Sequence, residues 1–303
     1  EAELNSKYST AIDSLNKNSP IALKLLQELK ETTISRKDTF NASITLLLGK
    51  FYLKNNSFAK SLSMYQEALL YFEQSKNESK ISFIFRQIGL LHYFEEDLIT
   101  AIDYYKKSIA ISKKIKDKKG EASGLFSSGT AYWCLSSNGI NKKFSDTAII
   151  FLLEAKSINE NLRDTASLAN TYTELGEAYK YSGDRKNCLI NMLIGYSLYK
   201  KVNDWHGVAI AGTKIAMHIN QDGRVKEAEK YIQESLRLIE ATDDTRWKSI
   251  CYQIASGIYT NHKIKNLPFE YYYKSMEYRD KIYSNEKSRE FTQKEIEFNF
   301  EKE

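Results

Sequence analysis

Two prolines, Pro20 and Pro268, and thirteen glycines are all that the 303 residues hold of the usual chain breakers. No Pro- or Gly-rich linker divides the chain, so one continuous array is expected rather than separate globules. Cysteine is scarce too. Cys134, Cys188 and Cys251 are odd in number, far apart and without a CxxC spacing, which indicates buried thiols and neither a disulfide framework nor a zinc site. No apolar run nears the roughly 18 residues of a membrane helix; the longest, AIIFLL at 148–153, stops at Glu154. Charge of one sign is missing as well. The 44 basic and 39 acidic residues give a net +5 and are interspersed, as solvated helix faces are, and no nucleic-acid surface is indicated. The densest basic cluster, KKIKDKKG at 113–120, is interrupted by Asp117 and falls where a helix should end, where lysines suit the helix dipole. The chain opens EAEL, with no initiator Met or signal peptide, and closes FNFEKE inside a helical pattern, so it is expected to be an excised piece of a longer protein.

What the sequence does contain is a period. Small residues recur in mid-helix at Gly49, Gly89, Gly129, Gly176, Ala216 and Ser256, with steps of 40, 40, 47, 40 and 40 residues. Such regularity indicates a solenoid. Three residues after each small residue stand Tyr52, His92, Tyr132, Tyr179, Ile219 and Tyr259, which belong to one face of a first helix. A second helix follows with a small, large, small pattern: Ser61, Tyr65 and Ala68, then Ala101, Tyr105 and Ser108, and so on to Pro268, Tyr272 and Ser275. In the third repeat the pattern Ala148, Leu152, Ala155 arrives seven residues late, after an insertion around SSNGINKKFSD. Gly49 should cost about 1 kcal/mol relative to alanine in a helix interior, which a close crossing of paired helices repays. Residues 1–40 read as one further, degenerate pair, with Pro20 opening its second helix.

The stretches LGKFYLKNNSFAKSLSMYQEAL and LGEAYKYSGDRKNCLINMLIGY resemble tetratricopeptide repeats, and the resemblance covers nearly the whole chain. It implies an all-α, right-handed solenoid of about seven antiparallel helix pairs over residues 1–283, followed by a coiled-coil-like helix from 284 to 303. The 40-residue spacing exceeds the family's usual length of about 34, which implies helices about a turn longer.

Chemistry is not signalled. The four histidines, His92, His206, His218 and His262, fall in different repeats with no metal-ligand spacing, and His92 stands where other repeats place tyrosine, so a packed histidine is expected. No GxSxG, phosphate loop or dinucleotide fingerprint is present. The carboxylate pairs Glu95-Glu96 and Asp243-Asp244 are expected at turns as helix starts. No catalytic residue, cofactor or metal is expected.

Stacked helix pairs curve and line a concave face with their first helices. In the resembled family the groove residues lie three and six positions before the small residue and one and four after it. Carried onto this sequence, the rule selects Lys50, Phe83, Arg86, Tyr93, Phe126, Trp133, Asn170, Thr173, Glu177 and Lys180 as candidate ligand contacts, aromatic in the middle and polar toward the C-terminal half. The implied partner is a peptide or protein. The stretch DKIYSNEKSREFTQKEIEFNFEKE resembles the exit helix of Bacteroidetes-type repeat-containing sensors. It implies a periplasmic sensor portion of a signalling protein, joined to the membrane only through a segment beyond residue 303 and weakly dimeric through this helix. The alternative is a cytoplasmic peptide-sensing regulator resembling the Gram-positive quorum-sensing family.

Overall fold

A computed structural model describes residues 2–16, 19, 21–33, 38–137, 139, 143–261 and 267–282. Among them fourteen helices and no strand occur. The chain is all-α, as its periodicity predicts. It forms two compact units, one up to Gly120 and one from Glu121.

The first unit holds α1 (Ala2–Asn16), α2 (Ile21–Thr33), α3 (Thr39–Lys54), α4 (Phe58–Gln74), α5 (Glu78–Phe94) and α6 (Leu98–Lys114). The second holds α7 (Lys118–Ser137), whose first turn carries the boundary, α8 (Lys143–Leu162), α9 (Thr165–Ser182) and α10 (Arg185–Lys201), then α11 (Trp205–Gln221), α12 (Val225–Glu240), α13 (Thr245–Asn261) and α14 (Leu267–Ile282). Helices consecutive in the chain pack on one another throughout each unit, as in a stack of helical hairpins.

A single backbone device sets the turns. Left-handed residues stand at Asn56, Lys76, Glu96 and Lys116 in the first unit and at Arg163, Gly183, Asn203 and Gly223 in the second, a spacing of twenty residues in both. The amide of the next residue then donates back into the helix just ended: Asp97 to the His92 carbonyl at 2.9 Å, Asp184 to Tyr179 at 2.9 Å, Asp204 to Tyr199 at 3.0 Å. These are helix-closing bonds of Schellman type. The same residue opens the following helix, because the Asp97, Asp164, Asp184 and Asp204 carboxylates accept from the amides three positions on. One aspartate thus serves two helix ends. This corrects the expectation for Glu95 and Glu96, which end α5, Glu96 being the left-handed residue, while Asp97 starts α6. Asp244 does start a helix, accepting from the Trp247 amide at 2.9 Å.

The mid-helix glycines sit at close crossings. A Cβ on Gly49 would stand 2.7 Å from the Tyr65 ring, one on Gly89 2.7 Å from the Tyr105 ring, and one on Gly129 2.6 Å from Leu152. Ser61 adds a hydroxyl bond to the Gly49 carbonyl at 2.8 Å, tying α4 to α3. His92 is buried at 1% exposure and stacks on Tyr104 at 5.4 Å, a packed side chain as expected. Tyr272 departs from the ladder. Its counterparts Tyr65 and Tyr105 are buried, yet Tyr272 is 52% exposed, and the neighbouring Tyr271 is the one that meets α13, 5.6 Å from the Tyr252 ring and 5.5 Å from that of Tyr259.

No described helix is long and apolar enough to cross a membrane. The expected C-terminal helix of 284–303, and with it the proposed dimer contact, lies outside the described residues, as does most of the centre of the insertion after Trp133.

Candidate ligand-binding face

In the first unit the expected contacts come from α3 and α5. Lys50 and Arg86 both approach the Phe83 ring, with Lys50 Nζ 4.8 Å and the Arg86 guanidinium carbon 5.3 Å from its centroid. Burial lowers the pKa of Lys50, and the neighbouring Lys80 and Arg86 cations lower it further. Burial also lowers that of Arg86, opposed in part by Asp117 and Tyr105. Tyr93, about two turns beyond Arg86 on α5, is half-buried with its ring edge-on to Phe94 at 5.8 Å, away from that cluster.

In the second unit the first helices α7, α9, α11 and α13 are joined by a chain of side chains. Trp133 on α7 donates its indole N–H to Glu174 Oε2 on α9 at 2.9 Å. The other Glu174 oxygen takes Lys214 of α11 in an ion pair at 2.5 Å. Lys214 Nζ lies 5.5 Å from the Trp133 ring and 5.8 Å from that of Trp247 on α13, a cation held between two indoles. Burial works against the charged form of Lys214, but Glu174 and Glu177 outweigh it and hold the ammonium above the usual lysine range. Trp133 also stacks on Tyr181 at 5.6 Å and 7°, and Lys180 sits 5.0 Å from that ring while pairing with Glu177 at 3.6 Å.

Of the residues expected from sequence, the structure therefore brings Lys50, Phe83 and Arg86 together in one unit, and Trp133, Glu177 and Lys180 in the other. Besides Tyr93, three are placed differently. Thr173 is buried at 1% and turns toward Gly195 of α10, donating to the Ala169 carbonyl at 3.0 Å, so it serves a helix crossing. Asn170 is exposed and accepts from the Tyr199 hydroxyl at 2.6 Å. Phe126 packs into the core formed by Ala148, Leu152 and Leu175.

Glu174, Lys214, Tyr181, Trp247 and Lys80 were not among the expected contacts. A signal for two of them exists: Glu174 and Lys214 are forty residues apart, each two positions before its repeat's small residue, with opposite charges in equivalent places.

One pair of side chains has the look of a nucleophile and base. Cys188 Sγ lies 3.6 Å from His218 Nδ1. Both are buried, and burial pushes the thiol up to about 12 and the imidazole below its ordinary value, so neither is primed for proton transfer near neutrality. Among the described residues no group of three His, Cys, Asp or Glu side chains is placed to hold a metal ion.

No family model matches the chain, and no curated protein matches it. Solved structures do. The TPR-like repeats of a Podosopora anserina kinesin light chain share 13% identity with it, with 67% of this chain and 97% of that one covered and a TM-score of 0.53. The fold is tetratricopeptide-like. Aspartyl phosphate phosphatase F from Bacillus subtilis matches at 14% identity, over 91% of this chain and 70% of that one, with a TM-score of 0.73. The Rap conjugation gene regulator of the plasmid pLS20, in complex with the Phr* peptide, matches at 13% identity, over 92% of this chain and 96% of that one, with a TM-score of 0.62.

Proposed function

We propose that this tetratricopeptide-like chain is a non-catalytic module that binds a peptide on the face formed by its first helices. The observation that carries this reading is the line Trp133, Glu174, Lys214 and Trp247 in the second unit. It contains aromatic side chains of the kind that anchor partners, set in place by a buried ion pair that spends both Glu174 oxygens on neighbours. A carboxylate so engaged orients the aromatic rings and is not free as a base.

Between the two settings considered from sequence, a peptide-sensing regulator is the better supported, because a similar structure is that of a gene regulator holding a peptide. Another similar structure bears the name of a phosphatase. For this chain the non-catalytic reading is supported by the Cys188–His218 pair, whose burial keeps the thiol protonated.

The test is a thermal-shift screen of a pentapeptide library, followed by calorimetry on the hits. Trp133→Ala should weaken the binding of a hit by about 2 kcal/mol or more. Full affinity in that variant overturns the placement, and a library without any stabilising peptide overturns the reading.

A further inference from the structure

A cluster of soft donors lies in the core of the second unit, apart from the binding face. Cys188 and Met192 stand one turn apart on α10 and His218 lies on α11, so the group spans the junction of two consecutive helix pairs. Their exposures are 0%, 0% and 2%. Cys188 Sγ is 3.6 Å from His218 Nδ1 and 4.0 Å from Met192 Sδ. A thiol facing Nδ1 donates to it, which leaves the ring proton on Nε2 and aims the Nδ1 lone pair at sulfur. Gly176 makes the room, since a Cβ there would collide with Met192. Cys188 is in the first turn of α10 and His218 in the last turn of α11, so the cluster sits one turn in from the ends of both helices. Of the charges that act on the Cys188 sulfur, Glu177, Asp222 and Asp184 are acidic and Lys180 alone is basic, a field that draws a cation. Arg185, which acts on His218, is spent on Asp222 at 2.8 Å.

These separations are those of donors that share one ion. Metal–sulfur bonds of about 2.3 Å and a metal–nitrogen bond of about 2.0 Å, opened to about 120° in a trigonal plane, set sulfur and nitrogen about 3.7 Å apart and two sulfurs about 4.0 Å apart. The unbranched methionine, with three rotatable bonds, is free to set the remaining edge of the triangle. Thiolate and thioether select Cu(I), and imidazole suits copper too. We infer that Cys188, Met192 and His218 form a trigonal site for Cu(I), which on binding fastens α10 to α11. Charge favours the same ion. The thiol gives its proton to solvent as the metal binds, so thiolate and monovalent copper sum to zero in the core, where a divalent ion would leave a net charge. Zinc in a closed site takes four donors, and among the described residues no third His, Cys, Asp or Glu joins Cys188 and His218. The site goes beyond the peptide-binding reading and does not depend on it.

The experiment uses the whole chain under anaerobic, reducing conditions, refolded from urea with an equivalent of Cu(I) and then challenged with bicinchoninate, whose cuprous complex is coloured. The parent should retain its copper, melt several degrees above the metal-free chain, and show sulfur outnumbering nitrogen around copper by X-ray absorption. Met192→Leu conserves volume and keeps the thiol and the imidazole. Groups that merely orient a ligand are worth about ten- to a hundredfold in metal affinity, so this variant should lose copper to about tenfold less competitor or lower. His218→Phe must show the same loss, so that the outcome does not hang on one core variant folding. Cys188→Ala should release the ion altogether, whereas Cys134→Ser and Cys251→Ser should hold it. Retention by Met192→Leu and His218→Phe equal to the parent's overturns the site. So does release by Cys134→Ser, which would place the ion on the half-buried thiol. Failure of the parent to hold copper against bicinchoninate overturns it outright, as does equal stabilisation by Zn(II), which would mark a different donor set.

Discussion

Glu174 and Lys214 occupy the same position in consecutive repeats and face each other as a buried ion pair, with side-chain exposures of 13% and 9%. Identical geometry in each repeat would have set like beside like. The sequence sets opposite charges at these two equivalent positions instead, while Leu47, Gln87, Ser127 and Ile254 stand uncharged at the others. Removing one partner strands the other. Glu174→Gln leaves the Lys214 ammonium buried without its carboxylate and is expected to cost about 3 kcal/mol or more, read as a shift in urea midpoint. The double variant Glu174→Gln/Lys214→Met should recover much of that loss. Equal losses in the single and double variants would contradict the pairing.

Gly176 lies where α9 crosses α10, and a Cβ there would meet Met192 and stand 3.0 Å from the Cys188 carbonyl. The side chain can yield but the backbone cannot. Gly176→Leu should destabilise the chain by about 1–3 kcal/mol, measured by thermal melting. An unchanged melt would place the crossing elsewhere.

His206 and Asp244 link α11 to the start of α13 at 3.0 Å. The bond to Asp244 holds the His206 pKa above its ordinary value, against the effect of burial. Burial works to raise that of Asp244, but bonds from His206 and the Trp247 amide hold it below the ordinary range. The histidine's contribution is complete below its unfolded pKa of about 6.5 and lost as pH rises through the raised folded value; the aspartate's is present above about 3.9 and lost as pH falls through the lowered one. The melting difference between parent and His206→Gln should therefore be larger near pH 5.5 than near pH 8.5. Equal differences at both pH values would remove the histidine from this role.

Burial pushes the Cys188 and Cys251 thiols up to about 12, while Cys134 is only half-buried. Iodoacetamide at neutral pH should label Cys134 alone in the native chain and all three in urea, counted by mass spectrometry. Rapid native labelling of Cys188 would show that the α10–α11 region opens.

The fold was legible because it depends on what is small and where. Gly49, Gly89, Gly129 and Gly176 mark crossings where a side chain would collide, and collision is a local matter that one sequence records. The binding face was legible only in part. The spacing taken from shorter repeats selects Thr173, but Thr173 faces Gly195 of α10 and the next residue, Glu174, takes the place beside Trp133. Lys80 was missed because it lies a further turn up α5 than the rule reaches. Glu95 and Glu96 misled because acidic residues suit a helix start by composition, whereas the left-handed backbone at Glu96 decides that the helix ends there.

The left-handed turn residues of the second unit tick at 163, 183, 203 and 223, one per helix rather than one per pair. Length therefore acts as a switch of parity for anyone editing this chain. Excising forty residues between equivalent turns, 164–203 for example, should close seamlessly and keep every remaining helix on its own side. Excising twenty would rejoin equally well at the backbone yet hand each downstream helix the role of its neighbour, turning buried stripes outward. The turns would tolerate either cut; only the side chains could tell them apart.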